Sequence, residues 1–79
     1  MEKIFLNDAY IKLDSAMKAK NLVMSGGEAK NVIKRGEVFV NGSVCTMRGK
    51  KLHPGDVFEY SGRSVRIYPK ITLRAAQKQ

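Results

Sequence analysis

The hydrophobic pattern changes its period at Gly36, and this change most strongly limits what the chain can fold into. Before Gly36, Ala29 and Ile33 stand four residues apart, which is the spacing of one face of a helix. After Gly36, Val38 and Val40 stand two residues apart, which is the spacing of one face of a strand. The sequence therefore predicts helices first and a sheet second, an α+β fold.

Turn signals separate several short strands in the second half. Asn41-Gly42 is typical of a two-residue hairpin, because both residues tolerate positive φ. Pro54-Gly55-Asp56 and Ser61-Gly62-Arg63 predict further turns. We expect a small antiparallel sheet with strands at residues 3–6, 37–40, 43–47, 57–60 and 64–68.

Two short helices are predicted ahead of most of this sheet. The first begins at Leu13. The second begins after Ser25, whose hydroxyl can accept a hydrogen bond from a free amide near Glu28 in a capping box. The pair Gly26-Gly27 is predicted to shape a tight turn that lets the helices meet closely. We expect both helices to pack on one face of the sheet.

Length and charge limit the kind of protein. The chain has 79 residues, which is room for one domain. We expect the domain to span residues 1–69 and residues 70–79 to form a basic, flexible tail. Fifteen Lys and Arg against seven Asp and Glu give a net charge of +8. This charge favours a polyanionic partner, either nucleic acid or an anionic membrane surface, and solubility alone is the alternative.

The sequence gives little support to catalysis or to a bound cofactor. His53 is the only histidine and precedes Pro54-Gly55, so we expect it in an exposed turn, with no Cys and His cluster to bind metal. The glycine pair lacks the G-x-x-x-x-G-K-[ST] spacing of a nucleotide-binding loop. Cys45 is alone, which excludes an internal disulfide. No run of 18 apolar residues is present. We expect a cytoplasmic protein without enzymatic activity, cofactor, metal, membrane span or small-molecule substrate.

Two segments resemble a known family. They are KLDSAMKAKNLVMSGGEAKNVIKRGEVFVNG, residues 12–42, and KKLHPGDVFEY, residues 50–60. Together they resemble the small RNA-binding domain first seen in the small-subunit ribosomal protein S-four, with its G-x-V-x-V-N-G and later G-D motifs. The resemblance implies an S-four-like fold with an αL-type motif, in which two short helices pack on a compact sheet. It also implies that the partner is a structured RNA, ribosomal RNA first and transfer RNA second.

The details resemble a bacterial branch of short, stand-alone chains with this domain. That branch carries S-G-G/A-x-A-K and a basic R-x-G-R/K-K-L loop, and this chain has SGGEAK from Ser25 and RGKKL from Arg48. Three family arginines are replaced here, by Lys12, Gly26 and Lys30. Lysine acts as a point charge, whereas arginine forms bidentate hydrogen bonds to phosphate. We therefore expect recognition of phosphate backbone and shape rather than base sequence.

The aromatic residues divide between the predicted core and the surface. Phe39, Phe58 and Tyr60 lie in predicted strands and are expected in the core. Tyr68 shares its strand face with Arg66, so it is expected to be exposed, where a ring can stack on a base.

The resemblance and the basic character together predict an RNA-binding surface on the helices and the basic loop. The alternative function is an adaptor that binds an acidic protein partner, possibly ribosome-associated. Peripheral membrane binding is weaker, because neither helix is long with a broad apolar face. The predicted RNA-binding residues are Lys12, Ser25, Gly26, Gly27, Lys30, Lys34, Arg35, Arg48, Lys50 and Lys51.

Overall fold

A computed structural model describes residues 1–70 of the chain. The tail predicted for residues 70–79 therefore lies outside the described residues, except for the exposed Lys70. Two helices and seven short strands follow one another along the chain. They are β1 (Glu2–Phe5), β2 (Ile11–Lys12), α1 (Leu13–Ala19), α2 (Gly26–Lys34), β3 (Val38–Val40), β4 (Ser43–Val44), β5 (Lys51–Leu52), β6 (Val57–Tyr60) and β7 (Arg63–Tyr68).

Five strands form the main sheet, in the order β1-β7-β6-β3-β4, and β2 pairs with β5 in a separate two-stranded sheet. The predicted fold class is confirmed. One detail is wrong, because β1 pairs with β7 in parallel, with Glu2 beside Val65 and Phe5 beside Tyr68. Hydrophobic alternation shows which side chains share a face, but it carries no information about strand direction. A parallel pair needs a long crossover, and here nearly the whole domain lies between the two strands.

Both helices cover one face of the main sheet and share a single core with it. The apolar stripe of each helix is buried, and so are the inward residues of the central strands. Phe58 lies at the centre with no exposed surface, as predicted. The core consists of Leu6, Leu13, Ala16, Met17, Val23, Ala29, Val32, Ile33, Val38, Val40, Leu52, Phe58, Val65 and Ile67, and the partly buried Tyr60 packs against it.

The other face of the main sheet is open, and it carries an aromatic residue expected in the core. Phe39 is 38% exposed, whereas Val38 and Val40 on either side are buried. Successive side chains of a strand point to opposite faces, so two inward valines force the residue between them outward. The placement of Phe39 in the core was therefore wrong.

The Asn41-Gly42 hairpin is confirmed. Both residues have positive φ, 51° and 85°, and they join β3 to β4 directly. The Asn41 side chain also ties this hairpin to the next strand, since its Oδ1 accepts from the Val57 amide at 3.0 Å. Its Nδ2 donates to Asp56 Oδ1 at 3.1 Å. The turn residue thus anchors two loops as well as reversing the chain.

Neither helix among residues 1–70 is long and apolar enough to cross a membrane.

Candidate nucleic-acid interface

One exposed face of α2 and the loop after β4 form a shallow basic groove. Lys30 and Lys34 stand one turn apart on the exposed side of α2, because the other side carries the buried Ala29, Val32 and Ile33. Thr46 and Arg48 line the opposite wall of this groove, which has a volume of about 270 Å³. Two positively charged elements that are distant in sequence therefore meet. Thr46 was not singled out from the sequence, because an isolated threonine carries no signal.

Backbone hydrogen bonds fix the basic loop to the start of α1. The Leu13 amide donates to the Lys50 carbonyl at 2.8 Å, and the Asp14 amide donates to the Arg48 carbonyl at 3.1 Å. These are amides that a helix leaves without partners at its first turn. The loop carbonyls therefore accept from the free amides at the N-terminus of α1, and these bonds fix the position of the loop relative to the helices.

The two-stranded sheet places two lysines directly opposite each other. Lys12 pairs with Lys51, and both side chains are exposed. Like charges at directly opposed positions destabilise a strand pair. Such a pair is expected where the protein binds an anion, because a phosphate between the two ammonium groups removes the repulsion.

An aromatic pair that the sequence reasoning missed lies beside these lysines. The Lys51 ammonium is 4.9 Å from the centroid of the Tyr10 ring. The His53 ring lies 6.0 Å from the Tyr10 ring, and His53 is exposed in its turn as predicted. The only sequence signal for Tyr10 was an aromatic residue in a polar segment just before β2.

Ser25 and Glu28 form the predicted cap of α2. Ser25 Oγ accepts from the Glu28 amide at 3.1 Å, and Glu28 Oε1 accepts from the Met24 amide at 2.7 Å. The carboxylate thus occupies a position near the helix N-terminus where an anionic ligand would otherwise bind. Ser25 sets where α2 begins, and thereby where Lys30 and Lys34 lie.

The expectation that Gly26 and Gly27 shape a tight turn between the helices is wrong. Both lie in the first turn of α2, neither has positive φ, and an added Cβ would meet no atom closer than 3.9 Å. The residue that turns the chain is Asn21, whose φ is 57° at the end of α1. Residues 20–25 give the connection enough length that a tight glycine turn is not needed.

Arg35 lies at the C-terminal end of α2 and is held by an acid. Its Nε donates to Glu37 Oε2 at 2.7 Å, and this carboxylate raises the pKa of Arg35 above its ordinary value. The groove formed by α2 and the loop does not include Arg35. Lys50 and Lys51 instead line a neighbouring depression, together with Met47, Gly49, His53 and Asp56.

The basic residues of this region keep their positive charge unpaired within residues 1–70. The ion pairs of the described chain join Glu2 to Arg63 and Lys20, and Glu37 to Arg35. We call the following set the helix-side surface, and no member of it takes part in those ion pairs: Lys12, Lys30, Lys34, Arg48, Lys50 and Lys51. Within the same residues, no three His, Cys, Asp or Glu side chains are grouped to hold a metal ion.

Comparison with protein families identifies the domain. The model of the S4 domain, which is the S-four-type domain that the sequence resembles, matches residues 4–68. The chain belongs to the S4 domain family. The matched region contains both helices and six of the seven strands in full, so the helix-side surface of this S4 domain lies entirely within it.

Two relatives place this S4 domain more closely. It is 37% identical over 59 residues to the probable ribosome maturation protein RlbA of Bacillus subtilis (strain 168), covering 75% of this chain and 83% of that protein. The solution structure of YbcJ from E. coli is similar, with a TM-score of 0.66 and 29% identity over 86% of this chain and 87% of that one. YbcJ is described as revealing an ALFAL motif involved in RNA binding.

Proposed function

We propose that this S4 domain is a non-enzymatic protein that binds structured RNA through the helix-side surface. The observation that carries the proposal is the groove of Lys30, Lys34 and Arg48, two exposed elements that the fold brings together. The opposed pair Lys12 and Lys51 extends the same positive charge. A cluster of unpaired cations is suited to a row of phosphates.

The relatives support the same function and suggest its setting. RlbA is named as a probable ribosome maturation protein, and YbcJ is described through a motif involved in RNA binding. We propose ribosomal RNA as the first target of this S4 domain and transfer RNA as the second. A role in ribosome maturation, in the cytoplasm, follows from the same argument.

The chemistry of the surface favours recognition of RNA by shape. Most of its cations are lysines, which bind phosphate as point charges without the two-pronged geometry of arginine. A-form RNA displays its phosphates and 2′-hydroxyls along a wide, shallow minor groove, whereas its major groove is too narrow for side chains. A rigid basic groove therefore binds the backbone of a helical RNA and makes few contacts with base edges.

The remaining predicted residues have indirect parts in this proposal. Ser25 positions α2 through its cap. Gly26 and Gly27 leave the first turn of α2 without side chains beside Lys18. Arg35 is paired with Glu37, and it contributes at the edge of the surface only if RNA displaces that acid.

The test is a blunt-ended RNA duplex titrated with a variant carrying Lys30→Gln, Lys34→Gln and Arg48→Gln. We expect at least a tenfold loss of affinity at low salt, and a salt slope reduced by about two to three units, because up to three phosphate contacts are removed. The matched control carries Lys18→Gln, Lys20→Gln and Lys70→Gln, which remove the same charge outside the groove. If both variants lose affinity equally, only net charge matters and the assignment of the surface is wrong.

A second candidate is an adaptor that binds an acidic protein of the ribosome. Val44 and Met47 are 54% and 65% exposed, and they lie beside the free edge of β4 with Lys50 nearby. An apolar patch with a basic rim is suited to an acidic protein. Association with purified ribosomes that survives complete nuclease digestion supports the adaptor, and release by nuclease supports RNA binding.

A further inference from the structure

The open face of the main sheet carries an aromatic and basic cluster at its β1 edge. The parallel register sets Lys3 beside Arg66 and Phe5 beside Tyr68, and paired residues of neighbouring strands share a face. The helices lie on the other face, where Ile4, Val65 and Ile67 point. We call Lys3, Phe5, Arg66 and Tyr68 the sheet-side cluster.

The two rings form a partly exposed aromatic surface. Their centroids are 5.3 Å apart and their planes are inclined by 33°. Phe5 is 47% exposed. Tyr68, which was expected to be exposed, is only partly exposed, whereas Phe5 is exposed, so a planar group can reach the Phe5 ring from solvent.

Two cations stand beside the same rings. The Lys3 ammonium lies 5.6 Å from the Tyr68 centroid, and the Arg66 guanidinium carbon lies 5.9 Å from it. Both side chains are exposed, and within residues 1–70 neither takes part in an ion pair. Each can therefore turn from the ring toward an anion without losing a carboxylate partner.

We propose that the sheet-side cluster binds unstacked nucleotides of a single-stranded RNA segment. A base stacks on the exposed Phe5 ring, and Lys3 and Arg66 bind the phosphates on either side of it. This combination of aromatic rings and backbone-tracking cations is the general chemistry of single-strand binding. An acidic peptide offers the charge without the planar face, and a membrane surface needs a wider apolar area than two rings provide.

This site is separate from the helix-side surface and does not depend on it. The helices and the basic loop lie on the opposite side of the sheet, so one RNA duplex cannot cover both surfaces at once. The cluster gives the protein a second contact, for a single-stranded segment that lies beside a helical one.

A strand-pairing role alone is the competing explanation for the two rings. Aromatic cross-strand pairs stabilise a sheet by themselves. A useful variant must therefore keep apolar packing between the strands while removing the flat rings. The double change Phe5→Leu and Tyr68→Leu does this, and thermal unfolding checks that it remains folded.

The experiment measures binding of a six-nucleotide single-stranded RNA with 2-aminopurine at its third position. The wild type is expected to quench the fluorophore, because stacking changes its emission, and the leucine variant to bind about tenfold more weakly without quenching. The charge variant Lys3→Gln and Arg66→Gln is expected to lose affinity as well. The matched control Lys18→Gln and Lys20→Gln removes the same charge and is expected to stay within about twofold of wild type, because these two lysines, on α1 and just after it, belong to neither RNA-binding surface.

Several outcomes would overturn the proposal. If the leucine variant quenches the fluorophore as strongly as the wild type, the rings do not stack on the base. If the charge variant and its matched control lose the same affinity, the cluster is not the binding site. If anionic vesicles or a polyglutamate peptide displace the labelled RNA as effectively as unlabelled RNA does, the cluster binds a different partner. If the leucine variant does not fold, photo-crosslinking of 5-iodouridine RNA to the wild type decides, since a crosslink at Phe5 or Tyr68 supports the site and crosslinks confined to the helix side reject it. Loss of duplex binding in the earlier groove variant leaves each of these results unchanged.

Discussion

At the scale of single residues, Asp56 connects two loops that border the helix-side surface. Its Oδ2 accepts from the His53 amide at 2.8 Å, and its Oδ1 accepts from Asn41 Nδ2 at 3.1 Å. Both bonds favour the ionised carboxylate, and the bond from His53 has the larger effect. The pKa of Asp56 therefore lies below its ordinary value of 3.8. The charge of this acid serves the fold.

The change Asp56→Ala is expected to destabilise the domain by about 1–2 kcal/mol at neutral pH, because two amide donors lose a charged acceptor. A carboxyl whose pKa is lowered by folding stabilises the fold fully above its unfolded pKa, here 3.8. That stabilisation disappears as the pH falls through the lower folded pKa. Urea denaturation of both proteins from neutral to strongly acidic pH should show that the difference in their free energies of unfolding becomes small. The control Asp8→Ala removes the same charge from an exposed loop, and an equal effect there would contradict the assignment.

Gly26 is a residue at which the surface can be strengthened. It lies in the first turn of α2, where an added Cβ has ordinary contacts only. In the family that the sequence resembles, an arginine stands at this position. The change Gly26→Arg is expected to increase the affinity for an RNA duplex several-fold and to steepen its salt slope by about one unit, through one added phosphate contact. Gly26→Gln is the uncharged control, and an equal gain in that variant would show that charge is not the cause.

At the scale of elements, the strands β2 and β5 are what organise the site. They are two residues each, and they hold the basic loop against the start of α1. Sequence patterns did not predict them, because two residues give no measurable alternation. Residues 50 and 51 were accordingly assigned to a loop. The lysines themselves were predicted, but their convergence depends on this long-range pairing.

The elements with strong local signals were predicted well. α2 was recognised from its cap and its apolar stripe, and the hairpin from Asn41-Gly42. The strand after the hairpin was predicted to reach residue 47, but β4 ends at Val44. Beyond that point the chain leaves the sheet to form the wall of the basic groove. A turn closes there, in which the Lys50 amide donates to the Met47 carbonyl at 3.1 Å, in place of the continued strand that the alternation predicted.

The opposed lysines predict a conflict between stability and binding within one element. Lys12 precedes α1 as its N-cap without any side-chain hydrogen bond to the helix, and it faces Lys51. The change Lys12→Thr removes the repulsion and places a β-branched side chain in the strand pair, so we expect a gain of about 0.5 kcal/mol in the free energy of unfolding. The same change should weaken RNA binding several-fold.

Denaturant unfolding and RNA titration of the Lys12→Thr protein test both parts together. The control Lys18→Thr removes a charge from the exposed side of α1, outside the strand pair. A Lys12→Thr protein that is less stable than wild type would show that the lysine pair is not a source of strain. Unchanged RNA affinity would place Lys12 outside the binding surface.

At the scale of the whole molecule, several acidic side chains are paired within the fold, whereas the basic side chains of the helix-side surface are not. Among residues 1–70, Glu2 and Glu37 are in ion pairs, and Glu28 and Asp56 accept from backbone amides. The cations of the helix-side surface have no acid partner within the same residues. These six described cations therefore stand outside any ion pair, and repulsion among the cations of a chain of charge +8 opposes folding.

This division predicts that salt moves stability and RNA affinity in opposite directions. Screening reduces the repulsion within a chain of charge +8, while the exposed ion pairs it also weakens contribute little, so the Tm is expected to rise with salt. Affinity for an RNA duplex is expected to fall, because bound phosphates no longer gain from counterion release. With five or so phosphate contacts, the slope of log affinity against log salt should lie between about −3 and −5. Calorimetric melting and RNA titration across the same salt series measure both, and an affinity that is flat while the Tm rises would show that RNA is held by something other than this charged surface.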